Sequence, residues 1–419
     1  MEITCLGEPQ FHSPLGHSVD DLARMPAHVV RTPGRPAEPE VVFELAGPRA
    51  KLFFDPGKTR AGIVTCGGLC PGLNNVIRSL FLELHHQYGV KEVLGFRGGY
   101  QGLSPEGPEP IVLTADFVDD IHRDGGTVLG TSRGPVDTGS AVENLIRRGV
   151  DILFTIGGDG TQRGGNELYQ EAQRRGHNLA VVGVPKTVDN DVAYVSRTFG
   201  YLTAVEEASE VLNRAHTEVH SVENGIALVK LMGRHAGFIA AGATIANQDV
   251  NFTLIPEVPF KLEGDGGFLA VLKRRMIKRK HAVIVVAEGA GQNLLAAEAE
   301  QRDASGNLKL RDIGLFMRDK IEAYFKSQNF PIIMRYFDPS YIIRSVAADA
   351  EDAILCDLFA RGAAHAAMAG KTGLIIGLLH DKFIHVPIEM VVKEKKRLNP
   401  NGSIWQAVLA ATGQPAVFE

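Results

Sequence analysis

One pattern governs this 419-residue chain: short apolar runs alternate with amphipathic stretches. AGIVTC at 61–66, DILF at 151–154, LAVVGV at 179–184 and GIALVKLM at 225–232 show little polar alternation. Runs of that kind read as strands buried on both faces. Between them, NNVIRSLFLELHHQ, SAVENLIRRG, NELYQEAQRRG and LTAVEEASEVLNRAH place apolar residues at helical intervals. Alternation of such strands and helices predicts the α/β class with mostly parallel sheets.

A second series follows the same rule. GDGGFLAVLKRRMIKRK, RDIGLFMRDKIEAYFKSQ and the Ala-rich AADAEDAILCDLFARGAAHAAMAG read as helices. HAVIVVAEG and TGLIIGLL read as strands, and PIIMRYFDPSYIIR as a strand and loop. The chain exceeds the usual size of a single core. The expected architecture is therefore two Rossmann-like, three-layer α/β/α domains, with the active site in a cleft between them at strand C-termini. Residues 1–58 are Pro-rich and irregular and read as an N-terminal extension. Residues 59–201, completed by about 345–372, form the first expected domain. Residues 202–344, completed by about 373–390, form the second, and 391–419 a tail with a helix around Trp405.

Composition narrows the function classes. Forty-four Lys and Arg against 49 Asp and Glu give a net charge of -5, which argues against nucleic acid or an anionic membrane as the main partner. No apolar stretch reaches the length of a membrane span, and MEITCLGEPQFHSP has no signal-peptide pattern. Four cysteines do not make a disulfide framework, so a cytoplasmic protein is expected. Cys66 and Cys70 lack a second Cys/His pair at zinc spacing. The basic run from Lys273 to Lys280 reads as a solvated helix face, with Phe268, Leu269, Leu272 and Met276 inward. The alternative for that run is an anionic effector site.

The outlier is glycine, 46 residues, clustered after the apolar runs. Cys66-Gly67-Gly68-Leu69-Cys70-Pro71-Gly72 joins a strand to a helix, where backbone N–H groups can meet a phosphate; a ligand-free tight turn is the other reading. Gly157-Gly158-Asp159-Gly160-Thr161 sets one carboxylate among glycines, a combination suited to Mg²⁺ completed by phosphates and water. In Pro185-Lys186-Thr187-Val188-Asp189-Asn190-Asp191, extended chain would point Thr187, Asp189 and Asp191 to one face. One of these acids can take a proton from a substrate hydroxyl. Arg133, Arg234, Arg335 and Arg344 sit beside glycine turns or strand ends, as bidentate phosphate recognition requires. Separated phosphate sites with carboxylates between them point to phosphoryl transfer.

From about Thr59 to Glu389 the chain resembles the 6-phosphofructokinases. The motifs GGLCPGLNN, GTSRG, GGDGT, PKTVDND, LMGRHAG and VAEG, and the set Arg335, Tyr341 and Arg344, follow that family's order. The resemblance implies transfer of the γ-phosphoryl group of Mg-ATP to the 1-hydroxyl of fructose 6-phosphate. It implies a nucleotide phosphate site at Gly67, Arg133, Gly134, Gly158, Asp159, Gly160 and Thr161, with Asp159 as Mg²⁺ ligand. It implies Asp189 as base, assisted by Thr187, Asp191, Arg133 and Arg234. Sugar-phosphate contacts fall on Thr187, Val188, Asp189, Met232, Gly233, Arg234, Glu288, Arg335, Tyr341, Ile342, Ile343 and Arg344. A homo-oligomer, a dimer or tetramer, is implied as well.

The chain departs from well-known bacterial members at Tyr341, Gly225 and Lys186 and in its N-terminal extension, which resembles the pyrophosphate-enzyme-like branch. Donor choice turns on Gly160 and Lys186. Family members using pyrophosphate typically carry Asp where this chain has Gly160. Glycine removes that bulk and charge, so ATP is the expected donor and pyrophosphate the alternative. A non-catalytic nucleotide or sugar-phosphate sensor is the third reading, and the presence of Asp159, Asp189 and Asp191 counts against it.

Overall fold

A computed structural model describes residues 2–30, 40–295 and 310–419. Among the described residues the two main sheets have nine and four strands. At the centre of the larger one, Leu374–Leu379, Ala180–Pro185, Ile152–Gly157, Arg60–Thr65 and Glu92–Phe96 run parallel in that spatial order. Every residue of Ile152–Gly157 and Ala180–Pro185 is buried. That is why these segments carry no polar alternation. Their two faces feed different cores. Leu153 and Val181 pack with Val142 and Leu145 of the helix Thr138–Arg147 and Leu168 of Asp159–Arg174. Phe154, Val182 and Val184 pack with Val76, Leu80 and Phe359 from Leu73–Leu82 and Ala350–Met368. The result is a helix–sheet–helix layering.

The smaller sheet, in order Phe252–Leu254, His281–Ala287, Gly225–Leu231 and Ile333–Phe337, is wholly parallel. The helices Phe268–Arg279 and Ile313–Ser327 cover one face; Phe268, Leu272, Met276 and Phe325 fill that core. Phe268, Leu269, Leu272 and Met276 are buried, the inward set expected for the basic helix. Tyr201–His220 and Phe238–Asn247 cover the other face, and their buried residues are continuous with the core of the larger sheet.

The segment 373–390 is not where the sequence reading put it. Leu374–Leu379 and Lys382–Pro387 form a hairpin that joins the larger sheet beside Ala180–Pro185, not the smaller one. An apolar strand carries no mark of which sheet it will join; here the preceding helix, packed against Ala180–Pro185, delivers the chain to that edge. Described parts of the N-terminal extension also pair with the rest of the chain: Val42–Leu45 with Lys382–Pro387, and Thr4–Cys5 with Lys371–Thr372. The tail helix Ser403–Thr412 packs on Phe238–Asn247, with Trp405 buried. Among the described residues no helix is long and apolar enough to cross a membrane.

Candidate active site

The C-terminal ends of both sheets open on one cleft of about 690 Å³. From the larger sheet come the turn after Arg60–Thr65, the loop carrying Arg133, the turn after Ile152–Gly157 and the turn after Ala180–Pro185. From the smaller sheet come Met232, Arg234 and His235 after Gly225–Leu231, and Glu288 after His281–Ala287.

Two glycine turns brace each other. The Gly67 N–H donates to Ser132 O at 3.0 Å, and Thr131 Oγ1 donates to Gly67 O at 2.8 Å. Gly68 is the place where side chains converge. A Cβ there would stand 3.0 Å from Arg344 Nη1 and 3.4 Å from Arg133 Nη2. The Lys186 ammonium donates to Gly68 O. Three cations thus meet at one backbone position. Burial and the neighbouring arginines lower the pKa of Lys186, and burial and Arg133 lower that of Arg344. Like charges held this close repel, and an anion between them would relieve that.

Next to this patch, Gly158 caps the helix Asp159–Arg174 without a side-chain hydrogen bond. Its first-turn N–H groups are therefore open to a phosphate. A Cβ at Gly160 would meet nothing within 4 Å.

On the opposite side lies the carboxylate turn. Ordinary strand alternation does not bring Thr187, Asp189 and Asp191 together, as the sequence reading had it. The chain turns there, with Asn190 in the left-handed region at φ 54°. Asn190 Oδ1 takes the Thr198 N–H at 3.0 Å, which steadies that conformation. Thr187 Oγ1 accepts from the Asp189 N–H at 3.1 Å and donates to Asp191 Oδ1 at 3.2 Å. Burial, then the charges of Asp191 and Glu288, push the Asp189 pKa up to about 7. The backbone N–H of Arg234, from the other side of the cleft, partly offsets this. Burial likewise raises Glu288 against the pull of Arg234, Lys230 and Arg344.

Most of the expected site residues line this one cleft: Gly67, Arg133, Gly134, Gly158, Asp159, Gly160, Thr161, Lys186, Thr187, Val188, Asp189, Asp191, Met232, Arg234, Glu288 and Arg344. Five expected sugar-phosphate contacts do not. Gly233 does not line it, and its backbone takes φ 126°. Arg335 lies on the Ile333–Phe337 strand and pairs with Glu218 at 2.9 Å. Ile343 is fully buried, whereas Tyr341 and Ile342 are 73% and 65% exposed. Tyr341 meets Arg344 of the site, whose guanidinium lies 4.8 Å from the centre of its ring.

The structure adds residues that sequence reasoning missed. Tyr100 is buried under the Asp159–Arg174 helix and donates to Thr161 O. Arg163, Glu167 and His235 line the cleft. Lys395 reaches in from the tail; its ammonium contacts Asp159 Oδ2 and donates to Asp191 Oδ2 at 2.8 Å. Burial alone would lower its pKa, but Asp191 and Asp159 outweigh that and raise it. Its only sequence signal was a short basic run, Lys395-Lys396-Arg397, of the kind usually solvated.

A family profile described as Phosphofructokinase matches residues 60–367. The chain belongs to the phosphofructokinase family. It is 46% identical over 431 residues to an ATP-dependent 6-phosphofructokinase of Borreliella burgdorferi, covering 99% of this chain and 96% of that one. It is 46% identical to the ATP-dependent 6-phosphofructokinase of Trypanosoma cruzi, covering 89% of this chain and 77% of that one. Among solved structures, Pichia pastoris phosphofructokinase in the T-state superposes with a TM-score of 0.67 at 22% identity. That match covers 85% of this chain and 37% of the longer one, and at such identity it speaks for the fold.

Proposed function

We propose that the chain is an ATP-dependent 6-phosphofructokinase. One observation carries this reading: Asp189, with its pKa pushed up to about 7, shares a cleft with the three cations that converge on Gly68. A base on one side and a preorganised anion site on the other are the requirements of phosphoryl transfer to a hydroxyl. Relatives at 46% identity that bear the name ATP-dependent 6-phosphofructokinase support the same substrate pair.

In this reading Asp189 accepts the proton of the 1-hydroxyl of fructose 6-phosphate as its oxygen attacks the γ-phosphorus. Arg133 and Lys186, at the Gly67–Gly68 turn, hold the moving phosphoryl group; Arg344 steadies it from the sugar side. Gly158, Gly160 and Thr161 present the helix N-terminus to the donor's phosphates. Met232, Arg234, Glu288 and Val188 hold the sugar phosphate. Thr187 orients the base through its bond with the Asp189 N–H. A Mg²⁺ ion fits the donor set, since one or two carboxylates plus substrate phosphates are its usual ligands. Asp159 would hold it, with Asp191 beside. When bound, the ion screens charge on the phosphates. We also infer a homo-oligomer, supported by the exposed Tyr341 and Ile342 and by Arg335 lying outside this cleft.

Open space around Gly160 supports ATP as donor, while Lys186 is the feature shared with pyrophosphate enzymes. A coupled assay of fructose 1,6-bisphosphate formation with ATP and pyrophosphate side by side tests this. We expect turnover with ATP. Turnover with pyrophosphate alone would reverse the donor assignment, and none with either would remove the enzyme reading.

A further inference from the structure

Lys395 lies beyond the 60–367 stretch that matches the family profile. It stands in the tail, between the hairpin that ends at Pro387 and the helix Ser403–Thr412. Its neighbours hold it rigidly against the carboxylate turn. Its backbone bridges to Val192. The Lys396 N–H donates to Asp191 O at 3.0 Å. The Lys396 ammonium is enclosed by Asn190 Oδ1 at 2.9 Å, Val195 O at 2.6 Å and Ser196 O at 3.0 Å. Two residues on, the Leu398 N–H donates to Glu257 Oε1 at 2.8 Å, and the same carboxylate caps Gly237.

This strap delivers one ammonium between Asp159 and Asp191. Two carboxylates so close repel each other unless a cation stands between them. A lysine ammonium supplies a single charge on a flexible stem, with no fixed coordination geometry. Mg²⁺ supplies two charges and requires an octahedron of oxygens. An ammonium and a divalent metal on the same Asp159 oxygen would repel each other at contact distance, so they compete for it.

We propose that Lys395 is a positioning residue that acts as the resident counter-ion of the acid pair. It keeps Asp159 and Asp191 in place while no metal is bound, and it yields Asp159 to a metal that arrives with the nucleotide. Free metal is thereby kept off the site. The inference rests on the phosphoryl-transfer reading of the cleft.

The test uses the full chain as wild type, Lys395→Met and Lys395→Arg. Free Mn²⁺ is titrated by electron paramagnetic resonance without nucleotide, and Tm is measured with and without Mg²⁺. Lys395→Met is expected to bind Mn²⁺ at least about tenfold more tightly than wild type. Its Tm falls in metal-free buffer and recovers with Mg²⁺. Lys395→Arg keeps the charge and behaves as wild type in both. Adding Asp159→Asn to Lys395→Met removes the gain. Equal Mn²⁺ affinity in Lys395→Met and wild type overturns the proposal, as does a loss of Tm that Mg²⁺ does not repair. Absence of any turnover by wild type would instead overturn the proposed function, and the metal titration would still be readable.

Discussion

At the scale of single residues the cleft is defined by which charges stand near Asp189. Replacing Asp189 with Asn keeps its shape and removes the proposed proton acceptor, so kcat should fall by about 10²–10⁴-fold with sugar-phosphate binding little changed. Near wild-type turnover would show that another group takes the proton. The same residue sets a pH dependence. As the proposed base Asp189 would work in the ionised form, and its pKa in the free protein is raised to about 7. kcat/KM should therefore rise with pH through about 7 and then level off. Glu288 is one of the charges that raises it, so Glu288→Gln should move that limb to lower pH, whatever it costs in sugar affinity. A limb that stays in place in the pH–rate profile would separate the two carboxyls. Gly160 is a complementary case. The site has room for a side chain, so Gly160→Asp should fold normally and place a negative charge beside the donor. At about 4 Å that repulsion amounts to a few kcal/mol, and ATP kcat/KM should drop by roughly 10²-fold or more. Unchanged ATP kinetics would refute the donor argument.

At the scale of elements the decisive unit is the turn 187–198 and the tail strapped across it. Asn190 holds the left-handed corner and uses its side-chain oxygen twice, for the Thr198 N–H and the Lys396 ammonium. Asn tolerates that backbone conformation better than Ala. Asn190→Ala should lose about 2 kcal/mol, from the strained corner and the lost hydrogen bonds. Urea denaturation followed by the fluorescence of Trp405, the chain's one tryptophan, would show it. Because Trp405 is buried in the tail helix, its emission should shift to the red in the same variant if the strap loosens. Asn190→Gly, which keeps the backbone freedom and lacks the side chain, should recover part of the loss.

At the scale of the whole molecule, the N-terminal extension is tied in by a buried ionic knot. Glu44 takes hydrogen bonds from Arg49 and Lys371 at 2.7 and 2.6 Å and lies 3.1 Å from His385 Nδ1. Burial alone would raise Glu44, but these partners outweigh it and hold the carboxyl well below its usual range. Burial lowers His385 to about 4. It is neutral at pH 7, so Lys371 and Arg49 are the cations that keep Glu44 ionised. The sign follows from the shift. Between about 6.5 and 4 the unfolded chain takes up a proton that folded His385 refuses, so stability falls as pH falls through that window. His385→Gln should flatten the slope by up to about 1.4 kcal/mol per pH unit in urea denaturation series. An unchanged slope would place the acid sensitivity elsewhere. Glu44→Gln would leave Arg49 and Lys371 buried without their counter-charge and should cost about 3–5 kcal/mol.

The linear sequence determined the strands, the glycine turns and the chemistry. Unbroken apolar runs demand burial on both faces, and GGLCPG, GTSRG, GGDGT and PKTVDND each combine a turn with the groups to which the proposed function gives phosphate or proton handling. Those are local properties, so reading along the chain finds them. Tertiary structure decided what depends on distance through space. It put the hairpin 374–387 on the larger sheet, left Arg335, Tyr341 and Ile342 outside the cleft, and bent 187–191 into a corner. It also carried Lys395 more than 200 residues along the chain to the side of Asp191. A strand does not encode its neighbour, and a charge does not encode its partner. Both are fixed only when packing closes the core and the remaining polar groups must find one another.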